Sequence, residues 1–486
     1  MKIALINPPF LFPEKTDFVP SQCCGLRYIS SYLKAKGRHQ IVFIDALMEG
    51  FSTVRKYANG YIVGLELPSI VNRIPSDTDI IGISVPFSQL APIAHDLVAC
   101  AKEKHPKAKI IMGGMYPSTQ PRLALTSKAD MIVVGEGEKV FYEIAEGADP
   151  RQIKGVYPTN LPEPQDYLPT QMIEDLDTIP FPDDSIPNID LAFRHSPRHK
   201  RGCRTASLIT SRGCPYNCEF CSIHPVYGWT WRGRSPQNVL EEIRYLIKKH
   251  RINRLEIEDD NFSLDKQRTL DILEAIIRIN ENGHDIRWST PNGVRIDTLD
   301  TDLIKLIKRS KCERIILGLE HGDNEMLCIM DKRLDLAGAF EVISSLAKLK
   351  IPRIDLFIIV GYPGETDRRF NSSLTYLKKI KALGDSIRPV VCIAQAYPET
   401  RLVKRCLKEG DIVDKNYENF LIRKDMMTTE HLVQITTRDF NTRKVYVRKQ
   451  AILDCFNPIL KYKYSLKKDL PYGLVNAIRY AKGRLG

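Results

Sequence analysis

The chain has 486 residues, 43% of them apolar and 27% charged, a composition that excludes a fibrous or disordered protein and predicts about three domains at roughly 150 residues each. Its 71 Lys and Arg residues against 59 Asp and Glu residues give a net charge of +12, and much of this excess lies in residues 411–486. Such a tail favours an anionic substrate or partner, although a solvated basic face explains the pattern equally well. No apolar run approaches the roughly 18 residues that span a bilayer, and the segment MKIALINPPF lacks the features of a signal peptide, so we expect a cytoplasmic protein.

Residues 1–150 alternate short apolar runs with amphipathic stretches. The runs are unbroken and rich in β-branched residues, as buried strands of a parallel sheet are. They occupy residues 2–7, 41–45, 80–85, 109–112 and 131–134, and the clearest helical stretches between them are 25–37 and 91–105. This pattern predicts a Rossmann-like, doubly wound α/β domain whose ligand binds at the carboxyl ends of the strands.

A proline-rich stretch, residues 151–200, predicts a connector. A second α/β series follows in residues 201–410, with strands predicted at 206–210, 254–258, 286–289, 313–319, 354–360 and 390–395 and helices at 236–249 and 334–349. Six βα repeats are too few to close an eight-stranded barrel, so this series predicts an open, partial (β/α)6 barrel. Residues 411–486 are basic and rich in tyrosine, and they predict a small, mainly helical subdomain; the tyrosines are Tyr446, Tyr462, Tyr464, Tyr472 and Tyr480.

Three cysteines follow the first strand of the second series closely. Cys214, Cys218 and Cys221 form the spacing CxxxCxxC, with Gly213 and Pro215 permitting a tight turn. Thiolates are the ligands of iron–sulfur clusters, and three of them can hold three irons of a [4Fe–4S] cluster and leave the fourth iron open to a substrate. The alternatives are a chance grouping and a zinc site with His224 as its fourth ligand, although structural zinc sites usually pair their cysteines in separate motifs.

The cysteine motif, with Phe220 before its last cysteine and a partial barrel around it, resembles the radical S-adenosylmethionine superfamily. Motifs nearer the N-terminus narrow the resemblance to the cobalamin-binding branch of that superfamily. They are Asn7-Pro8-Pro9, Gly25-Leu26-Arg27-Tyr28, Gly113-Gly114-Met115-Tyr116-Pro117, Gly135-Glu136-Gly137-Glu138 and Ile179-Pro180-Phe181-Pro182-Asp183. The resemblance covers about residues 1–405, and it implies a first domain that holds cobalamin and a second that holds a [4Fe–4S] cluster and S-adenosylmethionine.

The resemblance also implies roles for single residues of the barrel. The cluster ligands are Cys214, Cys218 and Cys221, and the residues expected to contact S-adenosylmethionine are Phe220, Asp259, Asp260, Arg295, Glu320 and Gly361. Glu320 and His321 are expected to be catalytic, and His321 departs from the family by placing an imidazole where a hydroxyl is common. Structural roles stay open: a helix cap for Asp259 and Asp260, a turn for Gly361, an ion pair for Arg295, and a buried, hydrogen-bonded place for His321.

For cobalamin the implied residues lie at the strand ends of the first domain. They are Asn7, Pro8, Pro9, Gly25, Leu26, Ser84, Phe87, Gln89, Gly113, Gly114, Gly135, Glu136 and Gly137. The motif D-x-H-x-x-G, which supplies a lower axial histidine, does not occur, since the segment that begins at Asp45 has Leu47 at the histidine position. We therefore expect base-off cobalamin without a protein imidazole ligand, with Phe87 or Gln89 near cobalt. Cys23 and Cys24 are interpreted as buried packing residues.

The chemistry that the resemblance implies is a methyl transfer. The cluster would give one electron to bound S-adenosylmethionine, the resulting 5′-deoxyadenosyl radical would take hydrogen from an unactivated carbon, and methylcobalamin would deliver the methyl group. Candidate substrates are a natural-product intermediate or a protein side chain, of which a glutamine of methyl-coenzyme M reductase is one family example. The alternatives are a ring-forming or rearranging radical enzyme without methyl transfer, and a non-catalytic cobalamin-binding regulator. The expected partner is an electron donor such as ferredoxin or flavodoxin, and a nucleic acid is not expected.

Overall fold

The computed structural model of the chain describes residues 1–12, 22–57, 60–162, 164, 166–194, 202–412 and 433–456. Within these residues two α/β units follow one another along the chain, each built on a six-stranded sheet. The predicted class, a Rossmann-like unit ahead of an open barrel, is therefore confirmed.

The first sheet is parallel apart from one edge strand. The strands of this unit are β1 (Lys2–Asn7), β2 (Phe10–Phe12), β3 (Gln40–Asp45), β4 (Val54–Tyr57), β5 (Gly60–Val63), β6 (Ile80–Ser84), β7 (Lys109–Gly113), β8 (Met131–Val133) and β9 (Val156–Pro158). Their order is β3-β1-β6-β7-β8-β9, with β9 antiparallel, and its five parallel strands are the five predicted runs. The sequence does not predict the separate antiparallel sheet β2-β5-β4, because strands of three or four residues carry too few alternations to be recognised.

Both faces of this sheet are covered. Along β1, Ile3 and Leu5 pack into one hydrophobic core while Ala4 and Ile6 pack into another on the opposite face, which explains why the strand reads as an unbroken apolar run. The covering helices are α1 (Cys24–Lys36), α2 (Ala46–Glu49), α3 (Leu67–Asn72), α4 (Ala91–Lys104), α5 (Met115–Thr119), α6 (Pro121–Leu125) and α7 (Glu138–Ala145). A short helix, α8 (Ile189–Arg194), lies between the two units.

The second unit is an open barrel. Its main strands are β10 (Thr205–Leu208), β13 (Arg254–Ile257), β14 (Arg287–Val294), β15 (Cys312–Glu320), β16 (Ile354–Val360) and β17 (Ile387–Ile393), paired in parallel in chain order, and a small ribbon joins β11 (Ser211–Arg212) to β12 (Arg232–Gly233). All six predicted strands are present. Strand β14 continues five residues past its predicted end at 289, through register shifts against β15 that a simple alternation pattern cannot anticipate.

The helices of the second unit are α9 (His224–Tyr227), α10 (Pro236–His250), α11 (Lys266–Glu281), α12 (Thr301–Arg309), α13 (Asn324–Ile329), α14 (Leu336–Lys348), α15 (Asp367–Lys381), α16 (Arg401–Glu409) and α17 (Thr442–Phe456). Most of the helices that follow a strand begin with a polar cap whose side chain accepts a hydrogen bond from a first-turn N–H; the caps are Ser235, Asp265, Asp300, Asp323, Asp335, Thr366 and Thr400. Such caps fix where each helix starts, and they hold the loops that carry the site residues close to the carboxyl ends of the strands.

One glutamine joins the two units at the open edge of the barrel. The side chain of Gln22, just before α1, donates to the carbonyl oxygen of Thr205 at 2.7 Å and accepts from the amide of Ser207 at 3.0 Å. Both partners lie on β10, the edge strand, whose outer backbone groups would otherwise lack a neighbour. The side-chain carboxamide of Gln22 thus pairs with this strand edge as the backbone of a neighbouring strand would, and it ties the two units together.

The carboxylate of Asp183, at the end of the segment Ile179–Asp183, fastens the connector to the first unit. Asp183 is 8% exposed and accepts from Ser30 Oγ at 2.5 Å and from Lys34 Nζ at 2.6 Å, both on α1. Burial opposes ionisation, but the hydrogen bonds from Lys34 and Ser30 outweigh it and lower the pKa of Asp183. The ionised carboxylate therefore holds the connector against the first unit.

Replacing Asp183 with Asn is expected to lower the free energy of unfolding by about 1–3 kcal/mol, because charge-assisted hydrogen bonds are lost. A carboxyl with a lowered pKa stabilises the fold above its unfolded pKa and loses that contribution as the pH falls through its folded pKa. The stability difference between the two proteins should therefore be full at neutral pH and shrink below about pH 4. Urea unfolding at pH 7 and at pH 3.5 checks this, and an equal difference at both values would contradict it.

The described part of the C-terminal segment packs on the barrel. Helix α17 contacts α15 and β17, and Val445 on it is fully buried. Tyr446 lies on this helix, whereas Tyr462, Tyr464, Tyr472 and Tyr480 lie outside the described residues. No helix among the described residues is long and apolar enough to cross a membrane.

Candidate functional site

A cavity of about 440 Å³ lies between the two units, at the carboxyl ends of the strands of the first. Ten of the residues predicted for cobalamin line it: Asn7, Gly25, Leu26, Ser84, Phe87, Gly113, Gly114, Gly135, Glu136 and Gly137. Pro8, Pro9 and Gln89 are not among the described residues that line it, and the Gln89 side chain instead donates to the carbonyl oxygen of Leu11 at 3.4 Å. The barrel contributes Ser207, Ile209, Arg212, Val226, Tyr227 and Glu258 to the opposite wall.

Glycines keep the cavity wide. A Cβ at Gly25 would meet no atom within 4 Å, and one at Gly113 would meet only Val133 at 3.9 Å, so a larger residue at either position would fill ligand space. Gly114 has a φ of 106°, and a Cβ there would lie 2.8 Å from the carbonyl oxygen of Val85. Only glycine fits that conformation and contact. This wall therefore suits a large, flat ligand that approaches the backbone closely.

A buried polar group lies at the ends of β1 and β3. Asp45 accepts hydrogen bonds from Asn7 Nδ2 at 2.7 Å and from the Cys23 thiol at 3.3 Å. Burial raises the pKa of the Asp45 carboxyl and that of the Cys23 thiol, which favours the neutral form of both. Cys23 and Cys24 both line the cavity, and Leu47 lies buried in the core. The interpretation of the two cysteines as packing residues stays a prediction.

An ion network across the cavity links the two units. Arg212, just after the first barrel strand, donates to Glu136 at 3.0 Å and to Glu138 at 2.6 Å, and its guanidinium lies 5.3 Å from the ring centre of Tyr28. Arg232 donates to Glu136 at 2.8 Å as well. Arg212, Glu136 and Glu138 are each at most 6% exposed. The sequence gives Glu136 a place near cobalamin, but nothing in it indicates that two arginines of the barrel bind this carboxylate.

The three cysteines lie on the loop that follows β11, two residues after Arg212. Gly213 begins the loop with a φ of 84°, and a Cβ there would lie 2.2 Å from the carbonyl oxygen of Thr230, so glycine is required. Burial raises the pKa of all three thiols above the ordinary value, that of Cys221 to about 12. Coordination to a metal group would displace the protons of these thiols, since thiolates are the binding form.

Among the described residues, no group of three His, Cys, Asp or Glu side chains converges closely enough to hold a single metal ion. The imidazole of His224, the fourth ligand of the zinc alternative, instead stacks on Trp229 with ring centres 3.6 Å apart. A [4Fe–4S] cluster does not need convergence on one point, because each thiolate binds a different iron. The donor set of the loop, three thiolates, is therefore the one that a [4Fe–4S] cluster takes.

The carboxylates after β13 hold the cysteine loop in place. Asp259 accepts from Thr210 N at 2.6 Å and from Ser211 Oγ at 2.6 Å, and Asp260 accepts from Gly213 N at 2.9 Å. Burial raises the pKa of Asp260 to about 6. Neither residue caps α11, whose cap is Asp265, so the helix-cap alternative is wrong.

Two buried cations flank Cys218. The guanidinium of Arg295 lies 3.7 Å from the ring centre of Tyr216 and 4.0 Å from Cys218 Sγ, and it also pairs with Asp297 at 2.6 Å. Lys332 is 6% exposed and donates to Glu320 Oε1 at 2.9 Å. The ion pair that was one of the two possible roles of Arg295 is therefore present, with Asp297 as the partner, beside the cysteine loop. Sequence reasoning missed Lys332, which lies in a loop after α13 and carries no local motif.

His321 and Gly361 lie farther along the strand ends. His321 is 1% exposed, and its Nε2 lies 3.3 Å from Glu365, which also accepts from Gly361 N at 2.8 Å and from Arg448 at 3.0 Å. Phe220 packs edge-on against Tyr362, with ring centres 6.5 Å apart. His321 thus occupies a buried position in contact with Glu365, and its catalytic role stays a prediction.

Comparison with known proteins agrees with this arrangement. Residues 22–145 match the B12 binding domain family, and residues 208–377 match the radical SAM superfamily. The uncharacterized methyltransferase PH0819 of Pyrococcus horikoshii is 27% identical over 441 residues, which cover 89% of this chain and 88% of that protein. Cytidylyl-2-hydroxyethylphosphonate methyltransferase of Streptomyces wedmorensis is 26% identical over 495 residues, which cover 91% of this chain and 90% of that protein.

A solved structure shares the fold. TsrM of Kitasatospora setae, a radical S-adenosylmethionine methyltransferase with cobalamin and a [4Fe–4S] cluster bound, matches with a TM-score of 0.63 at 17% identity, over 85% of this chain and 78% of that one. The two family matches fall on the two α/β units, and the cysteine loop and the glycine-lined cavity lie where these units meet. The chain therefore combines a B12 binding domain with a radical SAM domain and resembles cobalamin-dependent radical S-adenosylmethionine methyltransferases, and its cofactors are a [4Fe–4S] cluster, S-adenosylmethionine and cobalamin.

Proposed function

We propose that this protein transfers a methyl group to an unactivated carbon of a substrate bound between its two units. The observation that carries the proposal is the shared cavity, which glycines of the first unit and Arg212 of the barrel both line, with Cys214 two residues beyond Arg212. When bound, the cofactors supply one electron, a hydrogen-abstracting nucleotide radical and a transferable methyl group. The protein's task is to hold them around one substrate and to exclude water.

The residues around the cysteine loop have separate tasks in this proposal. Cys214, Cys218 and Cys221 hold the cluster. Lys332 and Arg295, both largely buried beside Cys218, provide positive charge for the carboxylate of S-adenosylmethionine, and Glu320 provides negative charge for its amino group. Asp260 positions the first turn of the loop through Gly213. Phe220 and Gly361 border the same region, and His321 positions the strand end through Glu365.

The first unit holds cobalamin in this proposal. Gly25, Gly113 and Gly114 give the corrin room and backbone contact. Asn7 lines the cavity and is suited to hydrogen bonds with amide groups, and the buried Asp45 orients it by accepting from its Nδ2 at 2.7 Å. Phe87, which is 53% exposed, supplies an apolar surface near the metal. We expect the cobalamin to be held without a protein imidazole ligand.

The charged side chains that line the cavity indicate which charge the substrate can carry. Three carboxylates line it, those of Glu136, Glu138 and Glu258, and the cation among its described residues is Arg212, which binds two of them. This balance does not favour an anionic group at the reacting carbon. We therefore propose a substrate whose reacting part is neutral or cationic, either a small-molecule intermediate or a protein side chain such as a glutamine.

The proposal is tested with anaerobically reconstituted protein, S-adenosylmethionine with a deuterated methyl group, and an extract of the source cells. Incorporation of the label into a product, with formation of S-adenosylhomocysteine, is the expected result. Formation of 5′-deoxyadenosine without labelled product would favour ring formation or rearrangement instead. Protein that holds cobalamin but never cleaves S-adenosylmethionine would favour a regulator.

The chemistry needs a reducing environment and an electron source. All twelve cysteines are free, as is usual for proteins kept in a reducing compartment. We propose a cytoplasmic location and a ferredoxin or flavodoxin as the donor.

A further inference from the structure

A basic helix lies against the outer side of the cysteine loop. Helix α16 begins at Arg401, whose guanidinium donates to the carbonyl oxygen of Asn217 at 3.1 Å. The amide of Leu402 donates to the carbonyl oxygen of Glu219 at 3.0 Å. Arg405 donates twice to the Glu219 carboxylate, at 2.8 Å each. The helix is therefore fixed to the residues that separate Cys214 from Cys221.

The exposed side of helix α16 carries basic residues. Lys404 and Lys408 are both exposed and stand one helical turn apart, so they share a face, and the exposed Leu407 lies beside them. The helix carries four cations and one carboxylate, that of Glu409. Three of the cations pair with carboxylates of neighbouring segments: Arg401 with Asp331, Lys404 with Glu399 at 3.3 Å, and Arg405 with Glu219. Arg333, whose side chain is 83% exposed, extends this surface because Asp331 pairs with both Arg333 and Arg401. We call Arg333, Arg401, Lys404, Leu407 and Lys408 the basic face.

The cysteine loop has two sides with different surroundings. On one side, Arg212 and Tyr227 at its flanks line the cavity between the units. On the other side, Pro215 and Asn217 are exposed to solvent and Asn217 touches the basic face. An electron that comes from a protein in solution reaches the cysteines most directly from this second side, without crossing the substrate cavity.

We propose that the basic face is the docking surface for a small, acidic, one-electron carrier protein that reduces the cluster. The inference rests on the proposed function, which requires such an electron. In the step itself the reduced carrier loses one electron and the cluster gains it, with no bond made or broken. Opposite charges on the two surfaces accelerate the encounter, and Leu407 gives the contact an apolar centre.

The test reverses two charges of the basic face with the substitutions Lys404→Glu and Lys408→Glu in one protein. Reduced flavodoxin is mixed anaerobically with the reconstituted enzyme, and the loss of the cluster's visible absorbance gives the rate of its reduction. The double variant should be reduced at least about tenfold more slowly than the wild type at low salt. The wild-type rate should also fall as salt rises, whereas that of the variant should not. Reduction by dithionite, a small molecule that needs no docking surface, should be equally fast in both.

A matched control carries the same charge change elsewhere. Lys378 and Lys379 are exposed near the end of α15, at the opposite end of the barrel from the cysteine loop, since that helix runs away from the carboxyl ends of the strands. The variant Lys378→Glu/Lys379→Glu should match the wild type with flavodoxin. The proposal would be overturned if flavodoxin reduced both double variants equally slowly, or if it reduced Lys404→Glu/Lys408→Glu as fast as the wild type. Slower reduction of Lys404→Glu/Lys408→Glu by dithionite would overturn it as well. Because the experiment measures the reduction of the cluster, it tests the docking surface even if no methylated product is ever found.

Discussion

Replacing Cys218 with alanine is expected to abolish the cluster and, with it, all cleavage of S-adenosylmethionine. Cys218 is the middle ligand of the loop, and Arg295 and Lys332 lie beside it. Without its thiolate, these two buried cations would face two remaining cysteines, and a second iron of the cluster would lack a protein ligand. Iron and sulfide per chain should fall to background, and 5′-deoxyadenosine should be undetectable.

The matched control for this substitution is Cys328→Ala. Cys328 is exposed on α13, so its replacement by alanine removes a sulfur atom as well but leaves the cysteine loop unchanged. This variant should keep full iron content and full cleavage. If Cys218→Ala retained iron and cleaved S-adenosylmethionine as the control does, the cysteines would not hold the cluster. Circular dichroism of both proteins separates loss of the cluster from loss of the fold.

Local patterns explain why the sheets could be predicted. Strands such as β1 and β16 are buried on both faces, so each forms an apolar run that stands out in the sequence. The cysteine loop could be predicted for a similar reason, since its ligands lie within eight residues. The small sheet β2-β5-β4 could not, because its pairing joins short segments some fifty residues apart whose burial depends on the rest of the fold.

The contacts that complete the site are long-range and leave no sequence signal. Arg212 meets Glu136 across 76 positions of the chain, and His321 meets Glu365 across 44. Asp259 shows the same limit of sequence-based prediction. The sequence places it correctly after a strand, but it does not reveal that its carboxylate accepts hydrogen bonds from Thr210 and Ser211. Polar side chains at strand ends indicate where a site lies, while their partners are decided by how the two units pack.

Replacing Arg212 with methionine is expected to cost about 3–5 kcal/mol of unfolding free energy and to weaken cobalamin binding. The substitution roughly keeps the volume of the side chain, but Glu138 loses its guanidinium partner and Glu136 keeps only Arg232 among the described cations that pair with it. An unpaired buried carboxylate is strongly destabilising. Arg212 belongs to the barrel and both carboxylates belong to the first unit, so the loss of their attraction should loosen the contact between the two units where the corrin binds. Urea unfolding and titration with cobalamin measure the two effects.

Two further variants separate charge from shape. Arg212→Lys keeps the charge but cannot donate to both carboxylates in a fixed fork, so it should lie between the wild type and Arg212→Met. The double variant Arg212→Met/Glu138→Gln removes one of the stranded charges and should recover part of the lost stability. If Arg212→Met were as stable as the wild type and bound cobalamin equally well, the network would not join the units.

Acid provides an independent check of the same network. Burial opposes the ionisation of Glu136, but the hydrogen bonds from Arg232 and the charges of Arg212 and Arg232 lower its pKa. Its ionised form therefore stabilises the wild type above the unfolded pKa of about 4.3, and this contribution is lost as the pH falls below it. In Arg212→Met the same carboxylate has lost one of its two cations and gains less from being ionised. The stability deficit of the variant should therefore be largest at neutral pH and should narrow in acid, whereas a deficit caused by poor packing of the methionine would not change with pH.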